Sequence, residues 1–303
     1  MSKLLQVLVI GTIAGSIYGF IAIGMVLVYR TTGVLNVAHG GIGILSGYVA
    51  HEIINIRHQS YYAGIGGGIA VAALLGLLFE LIVVRRLPGR PDLQTAATLG
   101  LYTLLLGVVV TVPWWTTNAF QVLPSPLLNK TFRVPGANQA ITYDQVVLLV
   151  ALALFSAGLY WMLRRTRIGL AMRAVSDSSS AAGLMGIKPE VVSRVLWIVG
   201  FGLSGLTTVL VAPITLLDAN ALSLLTLKAL TVAFIGGLVS LPLTVAGGLI
   251  LGSLEAFNDL YLVDFPDLKY AWPFVLMVVA LVWRAAEKRR SVRDDAPVVA
   301  AAA

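Results

Sequence analysis

Apolar stretches long enough to cross a lipid bilayer follow one another along almost the whole of this sequence. A helix needs about 20 mostly apolar residues to span the hydrocarbon layer, where every backbone polar group must be satisfied within the segment itself. Runs of that kind occupy 4–29, 33–55, 61–84, 94–115, 142–163, 195–217, 222–240, 242–262 and 270–284. Little chain is left between them for a soluble domain. Charged residues make up 12% of the chain and hydrophobic residues 58%, and mean hydropathy is +0.90. The expected fold is therefore all-α, a single polytopic integral membrane helix bundle over 1–303 with about eight or nine transmembrane helices. Lys3 and the apolar run after it resemble a signal peptide only briefly. The run outlasts a cleavable core of about 7–15 residues, so it reads as the first membrane helix.

Two runs carry polar or flexible residues. Asn36, His39 and several glycines lie in 33–55; Lys228 and Gly236–Gly237 lie in 222–240. Either reads as a broken or re-entrant segment, which membranes tolerate where it lines a polar cavity inside the protein.

Orientation follows from the basic residues. Arg30 ends one run; Arg85, Arg86 and Arg90 share a short loop. Arg164, Arg165, Arg167, Arg173, Lys188 and Arg194 share a longer one, and Arg284, Lys288, Arg289, Arg290 and Arg293 follow the last run. Alternating crossings put all of them on one side. The excess of Lys and Arg on cytoplasmic loops makes that side cytoplasmic, with the N-terminus outside and the C-terminus in the cytoplasm. The end of the chain, 291–303, reads as a disordered tail. The net charge of +7 is thus explained by topology, and nucleic acid is not an expected partner.

Several chemistries are excluded. The chain has no cysteine and three histidines, and no P-loop spacing occurs. His51–Glu52 opens like a zinc-protease motif, but position 55 is Asn. No metal, cofactor or catalytic site is expected. Glycines four apart (Gly11, Gly15 and Gly19; Gly43 and Gly47; Gly64 and Gly68; Gly248 and Gly252) suit close helix packing in lipid.

The loop 164–194 is long for a membrane protein and is not simply polar. Ile168, Leu170, Ala171, Ala174 and Val175 recur at helical spacing, and a second apolar stretch, Ala181–Ile187, is closed by Gly186 and Pro189. Two short amphipathic helices separated by Ser178–Ser180 fit, lying on the membrane or in a groove of a cytoplasmic partner.

Three segments carry a family resemblance. Gly169-Leu-Ala-Met-Arg-Ala174, followed by Ala182 and Gly186-Ile187, resembles the ATPase-coupling loop of ABC permeases for branched-chain amino acids. Gly15–Gly40, ending in Asn36 and Ala38-His39-Gly40, resembles that family's opening helix and motif. Ile235–Ala256 resembles its glycine-rich helix pair ending in glutamate, here Glu255. The Asn36 and Ala38–Gly40 pattern favours the amino-acid, LivH-like branch over simple-sugar permeases. Gly41 stands where the family usually has an acidic residue, and Val239 and Leu243 stand where it has glycines.

The resemblance implies a permease subunit of an ATP-driven importer in a bacterial-type inner membrane. Its implied partners are ABC ATPase subunits, a homologous second permease and an extracytoplasmic solute-binding protein. Gly169, Arg173, Ala174, Ala182, Gly186 and Ile187 are the expected coupling residues. Ionisable side chains are costly in a bilayer and mark functional or paired positions. On that ground Asn36, His39, Gly40, Lys228 and Glu255 are the expected pathway residues, with a Lys228–Glu255 ion pair open, and Glu80 is expected to pair with Arg85 or Arg86. Urea or short-amide uptake by the same kind of permease, a stand-alone secondary transporter and an intramembrane enzyme are the alternatives.

Overall fold

A computed structural model describes residues 2–116, 123–127, 130–134, 139–215 and 217–300. It is a helix bundle. In chain order the helices are α1 (Ser2–Thr32), α2 (His39–His51), α3 (Tyr61–Ile82), α4 (Pro91–Thr111), α5 (Pro113–Thr116), α6 (Tyr143–Arg165), α7 (Arg167–Asp177), α8 (Ser179–Leu184), α9 (Pro189–Val211), α10 (Ala219–Ile235), α11 (Leu241–Tyr261) and α12 (Trp272–Ala300). A two-stranded antiparallel hairpin, β1 (Thr131–Val134) and β2 (Gln139–Thr142), precedes α6. Among the described residues six helices are long and apolar enough to cross a membrane, and Asn220–Ile235 and Trp272–Ala286 are shorter apolar helices. The expected tail 291–303 falls on the far end of α12 and on 301–303, which lie outside the described residues.

Local chemistry sets the helix ends. The hydroxyls of Ser60, Thr142, Thr166, Ser178 and Ser240 and the carboxylate of Asp218 accept backbone N–H bonds at the starts of α3, α6, α7, α8, α11 and α10. Each satisfies a first-turn donor that has no partner within its own helix. Pro91, Pro189 and Pro242 occupy first turns, where their missing N–H costs nothing.

α1 runs through the centre. Its Phe20, Ile23, Met25 and Leu27 are enclosed by residues of α6, α9, α10 and α11. The closest seam joins α1 to α11. A Cβ at Gly15 would lie 2.5 Å from the Gly248 carbonyl oxygen, and one at Gly252 would strike the backbone of Gly11 and Gly15. The glycine ridges thus remove the side chains that would hold two backbones apart. α4 and α6 turn large apolar side chains outward, among them Leu99, Leu104, Leu154 and Trp161, as a lipid-facing surface does.

Three sequence expectations are refined or corrected. The run 33–55, read as broken or re-entrant, is interrupted: residues 33–38 are non-helical, α2 begins at His39, and a π-helical turn covers Glu52–Ile56. The interruption lies before His39, and Gly40, Gly41 and Gly43 are helical. The run 222–240 stops early. α10 ends at Ile235, and a turn with positive φ at Gly237 (64°) and Leu238 (59°) leads into α11. Glu80 pairs with neither Arg85 nor Arg86. Its carboxylate, 1% exposed, meets Arg194 Nε of α9 at 3.3 Å, while Arg85 faces Glu190 at 3.5 Å. The packing of α3 along α9 decides this, because it brings Arg194 closer than the loop allows Arg85 to reach.

Candidate functional site

The break between α1 and α2 is inside the protein. Val34, Asn36 and Ala38 are fully buried, so the backbone polar groups of an extended segment need partners there. α4 supplies them. Thr95 Oγ1 accepts from Leu35 N at 3.1 Å, and Thr98 Oγ1 accepts from Val37 N at 3.1 Å while donating to the Leu35 carbonyl at 3.0 Å. Sequence reasoning missed both threonines, although two hydroxyls one turn apart in an apolar run were a visible signal.

α2 starts where this segment ends, and its glycines admit neighbours on several sides. Gly40 packs on Thr226 of α10, Gly41 on Tyr102 of α4, and Gly43 on Thr208 and Ser204 of α9. The Ser204 hydroxyl donates to the His39 carbonyl. The His39 ring lies on Gly24 of α1, where any larger residue would displace it. Asn36 and His39 are 0% and 1% exposed, and neither side chain has a hydrogen-bond partner among the described residues. A buried polar group without a partner costs about 1–3 kcal/mol, so the seam carries unused hydrogen-bonding capacity.

Lys228 and Glu255 meet. Lys228 Nζ lies 2.9 Å from Glu255 Oε1 and 3.0 Å from Oε2. Only the Oε2 contact has hydrogen-bond geometry. A third residue that the sequence did not single out joins them: Tyr18 of α1 donates its phenol to Glu255 Oε2 at 2.6 Å. Lys228 Nζ also reaches the Tyr18 oxygen at 3.2 Å and lies 5.2 Å from the ring centroid. Three helices, α1, α10 and α11, therefore converge on one neutral cluster. Asp259, four residues after Glu255, is exposed and pairs with Lys269 at 3.2 Å instead.

The loop 164–194 forms α7 and α8, two short helices hinged at Ser178. Gly169 lets α7 pack on the end of α6: a Cβ there would strike the Met162 and Leu163 backbone. Ala182 is fully buried, whereas Arg173 and Gly186 are exposed and Ala174 and Ile187 half-buried. Gly186 has φ +82°, a conformation that favours glycine. The most prominent apolar side chains of the loop are Leu184 and Met185, 91% and 72% exposed at the end of α8. They were overlooked because apolar residues in an amphipathic pattern read as the inner face. Between this loop and the ends of α1, α3 and α9 lies a cavity of about 770 Å³, lined in part by Arg30, Glu80, Arg85, Asp177 and Glu190.

Helices of this length around a broken helix and a buried ion pair define a multi-pass membrane protein. Residues 7–281 match the family described as the permease component of branched-chain amino acid transport systems, and the chain belongs to that family. Among its relatives is the high-affinity branched-chain amino acid permease protein BraD of Pseudomonas aeruginosa, 28% identical over 92% of this chain and 94% of its own length. The permease protein LivH of Escherichia coli K12 is 28% identical over 92% of both chains. The probable permease LivH of Methanocaldococcus jannaschii is 26% identical, over 80% of this chain and 77% of its own length.

Proposed function

We propose that this chain is the membrane-spanning permease subunit of an ATP-driven importer of branched-chain, hydrophobic amino acids. The observation that carries the reading is the family match over residues 7–281, joined by relatives whose names give that substrate class. The whole chain is one transmembrane permease domain of about eight or nine transmembrane helices. Its N-terminus is outside and its C-terminus in the cytoplasm of a bacterial-type inner membrane. Two features support this topology. The basic residues cluster at alternate helix ends, as cytoplasmic loops require. Arg284 of α12 also donates to the Ile235 carbonyl at 3.1 Å, so the lower ends of α10 and α12 lie at one level.

Two ABC ATPases, a second permease and an extracytoplasmic binding protein complete the machine. The loop 164–194 couples to an ATPase. Gly169, Ala174 and Ala182 set its packing, Arg173 and Gly186–Ile187 present it, and Leu184 and Met185 anchor it in the ATPase groove. The substrate route runs along α10. Lys228 is about a fifth exposed (18%), and an ionisable side chain at membrane depth marks a paired or functional position. Lys228 and Glu255 lie on that route. Gly40 packs on Thr226 of α10, and with Asn36 and His39 next to it in the chain it becomes reachable when α10 moves.

The test is reconstitution of the chain in proteoliposomes with ABC ATPases, a second permease and a binding protein from the same organism. ATP-dependent leucine uptake is expected. Uptake by this chain alone without ATP, or uptake of urea in place of leucine, overturns the reading.

A further inference from the structure

We propose that Tyr18, Lys228 and Glu255 form the site that receives the two charges of an amino-acid zwitterion during passage: the substrate carboxylate on Lys228 and its ammonium on Glu255, with the Tyr18 hydroxyl bridging. This rests on the import function proposed above and names the recognition chemistry of its route.

The geometry supplies both halves of a zwitterion receptor in one place. An ammonium and a carboxylate stand 2.9 Å apart, on different helices, so they can separate by helix movement without unfolding either one. Lys228 is the accessible partner, with 18% of its side chain exposed against 9% for Glu255. Beside it on α10, Leu224 and Leu227 are 54% and 60% exposed. An apolar side chain can lie on them while its polar end meets the pair. The phenol of Tyr18 donates to Glu255 Oε2, the oxygen that also accepts from Lys228 Nζ. Oε1 lies 2.9 Å from Lys228 Nζ but makes no hydrogen bond of good geometry with a described residue. It is the oxygen that a substrate ammonium would take over when Lys228 draws away.

The charge balance favours this ligand class. The cluster is neutral and a zwitterion is neutral, so exchanging the internal ion pair for two substrate pairs changes no net charge within the membrane. A lone buried cation or anion would bind one end of the substrate tightly and hold it. A pair that re-forms when the substrate leaves gives a shallow site, which a conducting route needs. Depth agrees as well. Tyr18 lies 12 residues from Arg30 along α1, about 18 Å at the helical rise, near the middle of the bilayer. Urea and simple amides carry no opposite charges, so they can hydrogen-bond to this cluster but cannot replace its ion pair with charge pairs of their own.

The experiment uses the permease–ATPase complex in nanodiscs without the binding protein, which would itself select zwitterions. Radiolabelled leucine is displaced with unlabelled leucine, with leucinamide (no carboxylate) and with 4-methylpentanoate (no ammonium). Leucine is expected to compete at millimolar concentration, and each one-charge analogue at least tenfold more weakly. Equal competition by all three, or no leucine binding by the wild-type complex, overturns the inference without any variant. The double variant K228M/E255Q leaves no unpaired charge and is expected to assemble with its ATPases. In the complete transporter its maximal leucine uptake should fall at least tenfold, while half-saturation by the binding protein stays unchanged. Native uptake by assembled K228M/E255Q overturns the inference. Y18F, which removes only the hydroxyl, is expected to weaken leucine binding three- to tenfold with normal assembly, and native binding by Y18F overturns the bridging role. ATP-driven leucine uptake by the wild type combined with native uptake by the double variant rejects this site alone. Uptake of urea in place of leucine rejects the transport reading as well.

Discussion

Glu80 is a carboxylate buried among helices, and its ion partner Arg194 is about a third exposed. Removing Arg194 alone strands a buried charge, whereas removing both partners strands nothing. Arg194→Met should therefore destabilise the protein by roughly 1–3 kcal/mol, a figure reduced for the solvent reaching Arg194. E80Q/R194M should recover most of that loss. Melting temperatures of the two variants in one detergent check this; a double variant no better than the single would show that the pair does not act as a unit. Asn36 and His39 give the opposite expectation. Their side chains make no hydrogen bonds with described residues, so Asn36→Ala and His39→Ala should leave the melting temperature nearly unchanged. Leucine uptake should fall if the seam across Thr226 opens onto the route. Lowered stability with native uptake in both variants would remove them from the pathway.

At the scale of elements the glycines divide by surroundings rather than by spacing. Gly15 and Gly252 sit where α1 and α11 touch backbone to backbone. Gly15→Leu should force the two helices apart and abolish recovery of folded protein. Gly100, Gly107 and Gly158 have open space where a Cβ would go. Alanine at each should be tolerated and should stabilise its helix by about 0.5–1 kcal/mol. The yield of folded protein for Gly15→Leu and detergent melting curves for the three alanine variants separate the two groups, and a destabilised Gly100→Ala would contradict the placement of that face against lipid.

The coupling elements carry a second test. Met185→Asp puts a charge on the apolar end of α8, and Gly186→Pro imposes φ near −65° where the chain has +82°. Both should abolish co-purification of the ATPase while membrane insertion stays normal. Retained co-purification in both would mean that α8 lies on the bilayer instead.

For the whole molecule the decisive measurement is topology, and the structure changes where to look. Ser125, in the loop before α6, is buried and donates to Asp144 Oδ1 at 2.5 Å, so a cysteine there would be masked. Lys130 and Ser179 are both exposed. The chain has no cysteine of its own. Lys130→Cys should react with an impermeant thiol reagent in intact cells, and Ser179→Cys only after the membrane is opened. Labelling of position 179 from outside would invert the proposed orientation.

Most of the helical spans, the amphipathic loop 164–194 and the family motifs were legible in the sequence. Each depends on neighbours within a few positions along one chain segment, where hydropathy and hydrogen-bonding capacity are written directly. The late start of the helix in 33–55, at His39, and the early end of the one in 222–240, at Ile235, were only half legible, because glycine marks a place where helices can stop as readily as one where they pack. Tertiary structure alone decided which charges meet. Arg194, 114 residues away, takes Glu80 from the nearer arginines. Tyr18, 237 residues away, joins Glu255 and Lys228. A buried ion settles on the partner that helix packing brings within bonding distance, and separation along the sequence says nothing about which that will be.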